Sequence, residues 1–121
     1  MRRTLELDRD ALAPSRARTA VDAIADTLEP DLVQSAKLLI SELVTNSVRH
    51  GRGDRVRVML DARRPGRLRC EIVDAGSGFV PTARDKPTTE EGGWGLHLVE
   101  SMADEWGVYE GSTHVWFELS S

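Results

Sequence analysis

Apolar and polar positions fall into two periods along this chain. Thr4 to Asp8 alternates, with Leu5 and Leu7 on one side and Thr4, Glu6 and Asp8 on the other. A period of two predicts a short, half-buried strand. Beyond it the period lengthens. Ala17, Ala20, Val21, Ile24, Ala25 and Leu28 lie on one helical stripe. Pro14-Ser15 opens this helix, with Ser15 the expected cap. Glu29-Pro30-Asp31 breaks the stripe and starts a second helix, since proline is tolerated in a first turn. The second helix runs to about His50. Its later half is apolar nearly all round, which predicts deep packing, and Gly51 and Gly53 stop it.

Alternation then returns. Val56, Val58 and Leu60 interleave with Arg55, Arg57 and Met59. Pro65-Gly66 marks a turn, and Leu68, Cys70 and Ile72 interleave with Arg67, Arg69 and Glu71. These two runs predict an antiparallel pair. Residues 80–93 are polar and aperiodic, with Pro81 and Pro87, and read as a functional loop. A third helix is expected from about Gly95 to Ala103. A strand around Trp106, Val108 and Tyr109 follows, then a last one with Val115, Phe117 and Leu119. The order is strand, two helices, hairpin, loop, helix, hairpin. It implies an α+β fold: a two-layer sandwich of one mostly antiparallel sheet with about three helices on one face.

Composition narrows the class. A chain of 121 residues is expected to form a single domain, residues 1–121. Its formal net charge of -4 gives no general attraction to nucleic acid or to an anionic membrane. Arginines do cluster, at Arg52, Arg55 and Arg57 and again at Arg63, Arg64, Arg67 and Arg69. Most alternate with apolar residues, so a solvated sheet face is the plain reading and a partner-binding face the sharper one. Cys70 is the sole cysteine, which excludes an internal disulfide and fits a reducing cytoplasm. No apolar run approaches a membrane span, and the Arg-rich start lacks a signal peptide's apolar stretch. A cytoplasmic location is expected.

Three polar signals carry the chemistry. Glu42 and Asn46 lie four residues apart, on one helical face, within Ser41-Glu42-Leu43-Val44-Thr45-Asn46-Ser47-Val48-Arg49-His50. A carboxylate in apolar surroundings is costly without a partner or a task. An amide oxygen beside it can bind a hard cation, and magnesium commonly sits between protein and phosphates. Asp74-Ala75-Gly76-Ser77-Gly78 sets a carboxylate at a strand end, before glycines that let backbone approach a ligand. That carboxylate can accept the exocyclic amine of adenine. Gly92-Gly93-Trp94-Gly95-Leu96 opens the third helix, where free N–H groups suit an anion. Each signal alone has an ordinary reading: a satisfied polar pair, a turn, a hinge with a cap. His50, one turn past Asn46, either reaches a phosphate or sits on the helix C-terminus, where the dipole favours a cation. His97 and His114 make no metal-ligand set with it. Trp94, Trp106 and Trp116 read as core or interface. Neither glycine cluster completes G-x-G-x-x-G, and no Gly-Lys-Ser/Thr occurs, which disfavours a Rossmann domain and a P-loop.

Taken in order, the three signals resemble the GHKL ATP-binding fold of gyrase-type topoisomerases, the heat-shock chaperone, histidine kinases and mismatch-repair proteins. Glu42 to Gly51, the small size and the ending Trp116-Phe117-Glu118-Leu119 are similar, more narrowly, to the RsbW-like bacterial anti-sigma-factor serine kinases. The resemblance spans about Ser15 to Leu119. It implies that Asn46 holds Mg2+ against the phosphates of ATP and that Glu42 is the general base. It implies that Asp74 binds the adenine amino group, with Thr113 in support. Gly76 and Gly78 would shape the pocket, and Gly93, Gly95 and Leu96 would offer backbone to phosphate at the hinge of a closing loop. Trp94 departs from the family pattern, which has a smaller, aliphatic or basic residue there.

The function so implied is an ATP-binding anti-sigma factor that phosphorylates a serine on its antagonist protein. Its partners would be a sigma factor and that antagonist, with no direct nucleic-acid or membrane contact. The alternative is a non-catalytic, ATP-controlled protein-binding module. A histidine-kinase fragment ranks lower, because no paired phosphoacceptor helices precede the fold, and simple ATPase activity also ranks lower. The Arg-bearing sheet face, the first strand and Trp116 are candidate surfaces for a homodimer or a partner.

Overall fold

The computed structural model describes residues 1–50, 53–74, 98–109 and 114–120, with the side chains of His50 and Tyr109 set aside. Strand β1 covers Arg2–Asp8, helix α1 Ala13–Ala23 and helix α2 Pro30–His50, with a short 3-10 turn at Ala25–Thr27 between the helices. Strands β2 (Arg55–Asp61) and β3 (Arg67–Val73) follow, then β4 (Glu105–Tyr109) and β5 (His114–Ser120). Residues 98–102 are helical and are labelled α3. The strands form one sheet in the order β1-β2-β3-β5-β4, antiparallel throughout. This is the α+β sandwich that the alternation predicts.

Register follows from which side of each strand is apolar. Leu5 faces Val58, Leu60 faces Cys70, Cys70 faces Phe117, and Phe117 faces Trp106. A slip of one residue would turn each of these toward water. Helices α1 and α2 pack together, and α2 lies on β3. Val21, Leu39, Ile40 and Val44 from the helices join Val56, Val58, Leu60, Leu68 and Phe117 from the sheet in a core sealed from solvent. Each such side chain contributes roughly 1.5–3 kcal/mol by leaving water. Cys70 is within this core, and burial pushes its thiol pKa far above the ordinary value. The thiolate is therefore suppressed.

Two details differ from the sequence expectation. Helix α1 begins at Ala13, with Leu12 at the N-cap position and no side-chain cap, so Ser15 is inside the helix. Asp10 does the capping work from outside: its carboxylate accepts Leu12 N–H at 2.9 Å, and its carbonyl accepts Ala13 N–H at 3.1 Å. Pro14 has no N–H to satisfy. Helix α2 is not enclosed all round either. Leu38 is 43% exposed, and Ser41, Glu42 and Thr45 are half-buried. Positions 38, 42, 45 and 49 repeat at helical spacing, so one stripe of α2 stays open opposite the stripe that enters the core.

The arginine-bearing face of the sheet is not simply solvated. Glu6 of β1 meets Arg57 of β2 at 3.1 Å, a cross-strand pair fixed by register. Toward the middle, Arg69 bonds Glu71 at 3.0 Å and Glu118 at 3.3 Å, and its guanidinium stacks 4.1 Å from the Trp116 ring centroid. His114 also meets Glu71. Burial alone would raise the pKa of Glu71; hydrogen bonds from Arg69 and His114, and their charge, outweigh it and hold the carboxyl below its usual value. The Trp116 ring lies across Gly107 of β4. A Cβ there would stand 2.7 Å from the indole nitrogen, so only glycine admits the ring. Gly66 takes φ 69 in the β2–β3 turn, as the Pro65-Gly66 signal requires.

The β2–β3 connection also carries a charge effect. Asp61 accepts Arg63 Nη2 at 2.7 Å, Nε at 3.0 Å and backbone N–H at 3.0 Å. The side-chain hydrogen bond from Arg63 dominates and pushes the Asp61 pKa down to about 2 from 3.8. A depressed pKa means this contribution to stability is complete above the unfolded value and is lost as pH falls toward the folded one. Arg63→Ala is therefore expected to raise the Asp61 titration midpoint in carboxyl NMR and to remove that share of the acid-induced loss of stability. An unmoved midpoint would show that the pair does not hold in solution.

Candidate functional site

Helix α2 and the end of β3 build the site. Glu42 and Asn46 are a turn apart in the second half of α2, on the side that borders the open stripe. Glu42 is half-buried, whereas its apolar sequence neighbours imply burial. The difference comes from the open stripe, which gives its carboxylate access to water. Asn46 is 9% exposed and is the one polar residue among the buried side chains described. Its position in the helix's last turns puts a neutral amide at the edge of the core rather than on the surface.

Asp74 follows directly after β3 and is half-buried. Ser47 Oγ lies 3.5 Å from its Oδ2. This contact joins two signals that are 27 residues apart in sequence, because Ser47 adjoins Asn46. Asp74 thus lies against the last turns of α2, at the residue next in sequence to Asn46, while Glu42 is one turn further back along the helix. The side chain of His50 and residues Gly76, Gly78, Gly93, Trp94, Gly95, Leu96, His97 and Thr113 lie outside the described residues. The expectations placed on them stay with the sequence.

Two residues that bear on this region were not singled out in the sequence. Ser47 follows Asn46 directly in a polar run, Thr45-Asn46-Ser47, and nothing in that run marks it as the residue that meets Asp74. Arg18 of α1 donates from Nη1 to Ser41 Oγ at 2.7 Å, directly before Glu42. Thr45 Oγ1 donates back to the Ser41 carbonyl at 2.7 Å. These bonds tie the turn that carries Glu42 both to α1 and to itself. Arg18 gave no sequence signal, because its partner is set by the packing of α1 on α2.

The partial negative charge of the α2 C-terminus is met by the Arg9 guanidinium at the Val48 carbonyl, while Asp74 and, one turn back from Asn46, Glu42 supply carboxylates. Among the described residues, no three of His, Cys, Asp and Glu gather as a metal-binding cluster. The described residues therefore do not by themselves make a complete protein cage. They fit a magnesium ion that brings most of its oxygen ligands as phosphate and water, with Asn46 able to supply one neutral oxygen. A depression of about 690 Å³ lined by Glu29, Asp31, Met102 and Asp104 lies by the other end of α2, and no predicted site residue reaches it.

Comparison with known proteins agrees with this architecture. The chain is 29% identical to the anti-sigma F factor of Clostridium novyi (strain NT), with 75% of this chain and 72% of that protein covered. It is 30% identical to the anti-sigma F factor of Clostridium acetobutylicum, with 74% and 71% covered. In fold it matches a crystal structure of RsbU and RsbW domains from Mycobacterium tuberculosis, with TM-score 0.70 and 20% identity. That match takes in 99% of this chain, which spans 31% of the larger one. No described helix is long and apolar enough to cross a membrane. Residues 6–119 match the histidine kinase-like ATPase domain, and the chain belongs to that family.

Proposed function

We propose that this protein is an ATP-binding anti-sigma factor that phosphorylates a serine of its antagonist protein. The observation that carries the reading is the contact between Ser47 and Asp74. It sets the strand-end carboxylate against the turn of α2 that bears Asn46. Membership of an ATPase-domain family supports ATP as the ligand. Similarity to two proteins named anti-sigma F factor supports the regulatory role and the partners, a sigma factor and its antagonist.

The division of labour follows from chemistry. Asp74 accepts a hydrogen bond from the adenine amino group, with Thr113 in support. Gly76 and Gly78 give the base room, and Gly93, Gly95 and Leu96 offer backbone to the phosphates. His50 sits within a turn of Asn46 and stabilises the phosphate side. Asn46 would hold Mg2+, which when bound neutralises charge on the phosphates. Glu42 takes the proton of the incoming serine hydroxyl. The serine oxygen forms a bond to the γ-phosphorus as the bond from that phosphorus to the bridging oxygen breaks, leaving ADP. Catalysis of this kind is positioning plus charge stabilisation. The half-exposed setting of Glu42 suits a base that must meet a hydroxyl from a second protein.

Two variants test the roles separately. Glu42→Gln should keep ATP binding and lower phosphotransfer to the antagonist by about 100-fold or more; labelled ATP and mass spectrometry of the antagonist read this out. Transfer at the wild-type rate would remove Glu42 as the base. Asn46→Ala should weaken ATP binding in Mg2+ and leave binding in EDTA little changed, by calorimetry. Equal affinity for the two proteins in Mg2+ would take Asn46 out of the metal site. A wild-type protein that binds ATP but transfers nothing to any antagonist would favour the binding-module alternative.

A further inference from the structure

One arginine outside the predicted site holds the end of the site helix. Register places it there. The β1–β2 pairing ends with Asp8 opposite Arg55, so the next residue, Arg9, lies beside the connection from α2 to β2. Its backbone N–H donates to the Asp54 carbonyl at 2.9 Å. Its side chain then reaches back. Nε donates to the Gly53 carbonyl at 2.7 Å, and Nη1 donates to the Val48 carbonyl at 2.7 Å.

Val48 is two residues from the end of α2, so its carbonyl is one of the last four that the helix itself leaves unpaired. A guanidinium is suited to this position. It is charged at every relevant pH, its donors form a planar fork, and it meets the negative end of the helix dipole. Three consecutive residues of this turn have three tasks. Asn46 is at the buried edge of the site, Ser47 meets Asp74, and Val48 is held by Arg9. Fraying begins at the last turn of a helix, and fraying here would release Asn46 and the Asp74 contact together.

We infer that Arg9 is a positioning residue for nucleotide binding: it clamps the last turn of α2 through Val48 and Gly53 and thereby orients Asn46 and Ser47. The inference rests on the nucleotide reading of Asn46. Arg9 acts through the backbone it holds, at Val48 and Gly53. The same clamp ties the segment between β1 and α1 to the site helix.

The test compares Arg9→Met, Arg9→Lys and Asn46→Ala with wild type, at a temperature where circular dichroism shows all four folded. Arg9→Met keeps the aliphatic stem and loses both donors. It should bind Mg-ATP about tenfold more weakly, the scale on which supports of a metal-binding group act. Amide hydrogen exchange should quicken in residues 46–50 and not in β2 or β3. Arg9→Lys can reach one carbonyl and should fall between. Wild-type affinity in Arg9→Met, while Asn46→Ala is impaired, overturns the inference. If Asn46→Ala also binds as wild type, the nucleotide reading has failed instead. Exchange then judges the clamp: quickened exchange in 46–50 of Arg9→Met supports it, and wild-type rates overturn it.

Discussion

The structure depends on how α2 divides its surface. A helix of 21 residues is held by the apolar stripe it buries, and α2 buries its stripe against α1 and the sheet. Leu39, Ile40, Leu43 and Val44 are all in the core. That burial fixes the rotation of the helix about its own axis. Once rotation is fixed, Glu42 and Asn46 have no choice of direction. Glu42 falls in the open stripe and Asn46 at the core's edge. Turning α2 to expose Asn46 would lift leucine and isoleucine side chains into water, at roughly 1.5–3 kcal/mol each. The hydrophobic core is therefore what aims the polar pair.

The two sides of the sheet do different work. Toward the helices the strands are apolar, and a slipped register would be costly. On the outer side, Arg69, Glu71, Glu118, His114 and Trp116 form a connected, half-buried group across β3 and β5. Isolated surface ion pairs contribute about 0–1 kcal/mol, so this group matters less for total stability than for which strand neighbours which. Val73 pairs with His114 at the end of the β3–β5 ladder, immediately before Asp74. The network thus braces the strand end from which Asp74 projects, on the face away from α2.

Much of this was legible in the sequence. The alternating runs at Leu5, Val56–Leu60, Leu68–Ile72 and Val115–Leu119 gave strands and faces correctly, since each strand is apolar on one side only. The spacing of Glu42 and Asn46 and the strand-end position of Asp74 were readable for the same reason: periodicity determines faces and ends. What was not legible depended on tertiary placement. Ser15 looked like a cap, yet the chain turns through Asp10 and starts the helix earlier. Apolar residues around Glu42 implied enclosure, but nothing in one helix says which side a neighbour leaves open. Arg9 and Arg18 belong to no motif and carry no signal in the sequence. Their partners, Val48, Gly53 and Ser41, are 23 to 44 residues away and are set by register and helix packing.

The central claim is that the end of β3 and the last turns of α2 are two walls of one adenine-nucleotide site. Isothermal titration of ATP and of GTP into the wild-type chain and into Asp74→Asn tests it most directly. A carboxylate that accepts the adenine amine should give the wild type a clear preference for ATP, because guanine lacks that donor. Asp74→Asn should weaken ATP binding by about tenfold or more, since a polar site that loses its matched partner discriminates strongly. Equal binding of ATP and GTP by the wild type, or undiminished ATP affinity in Asp74→Asn, would contradict the account.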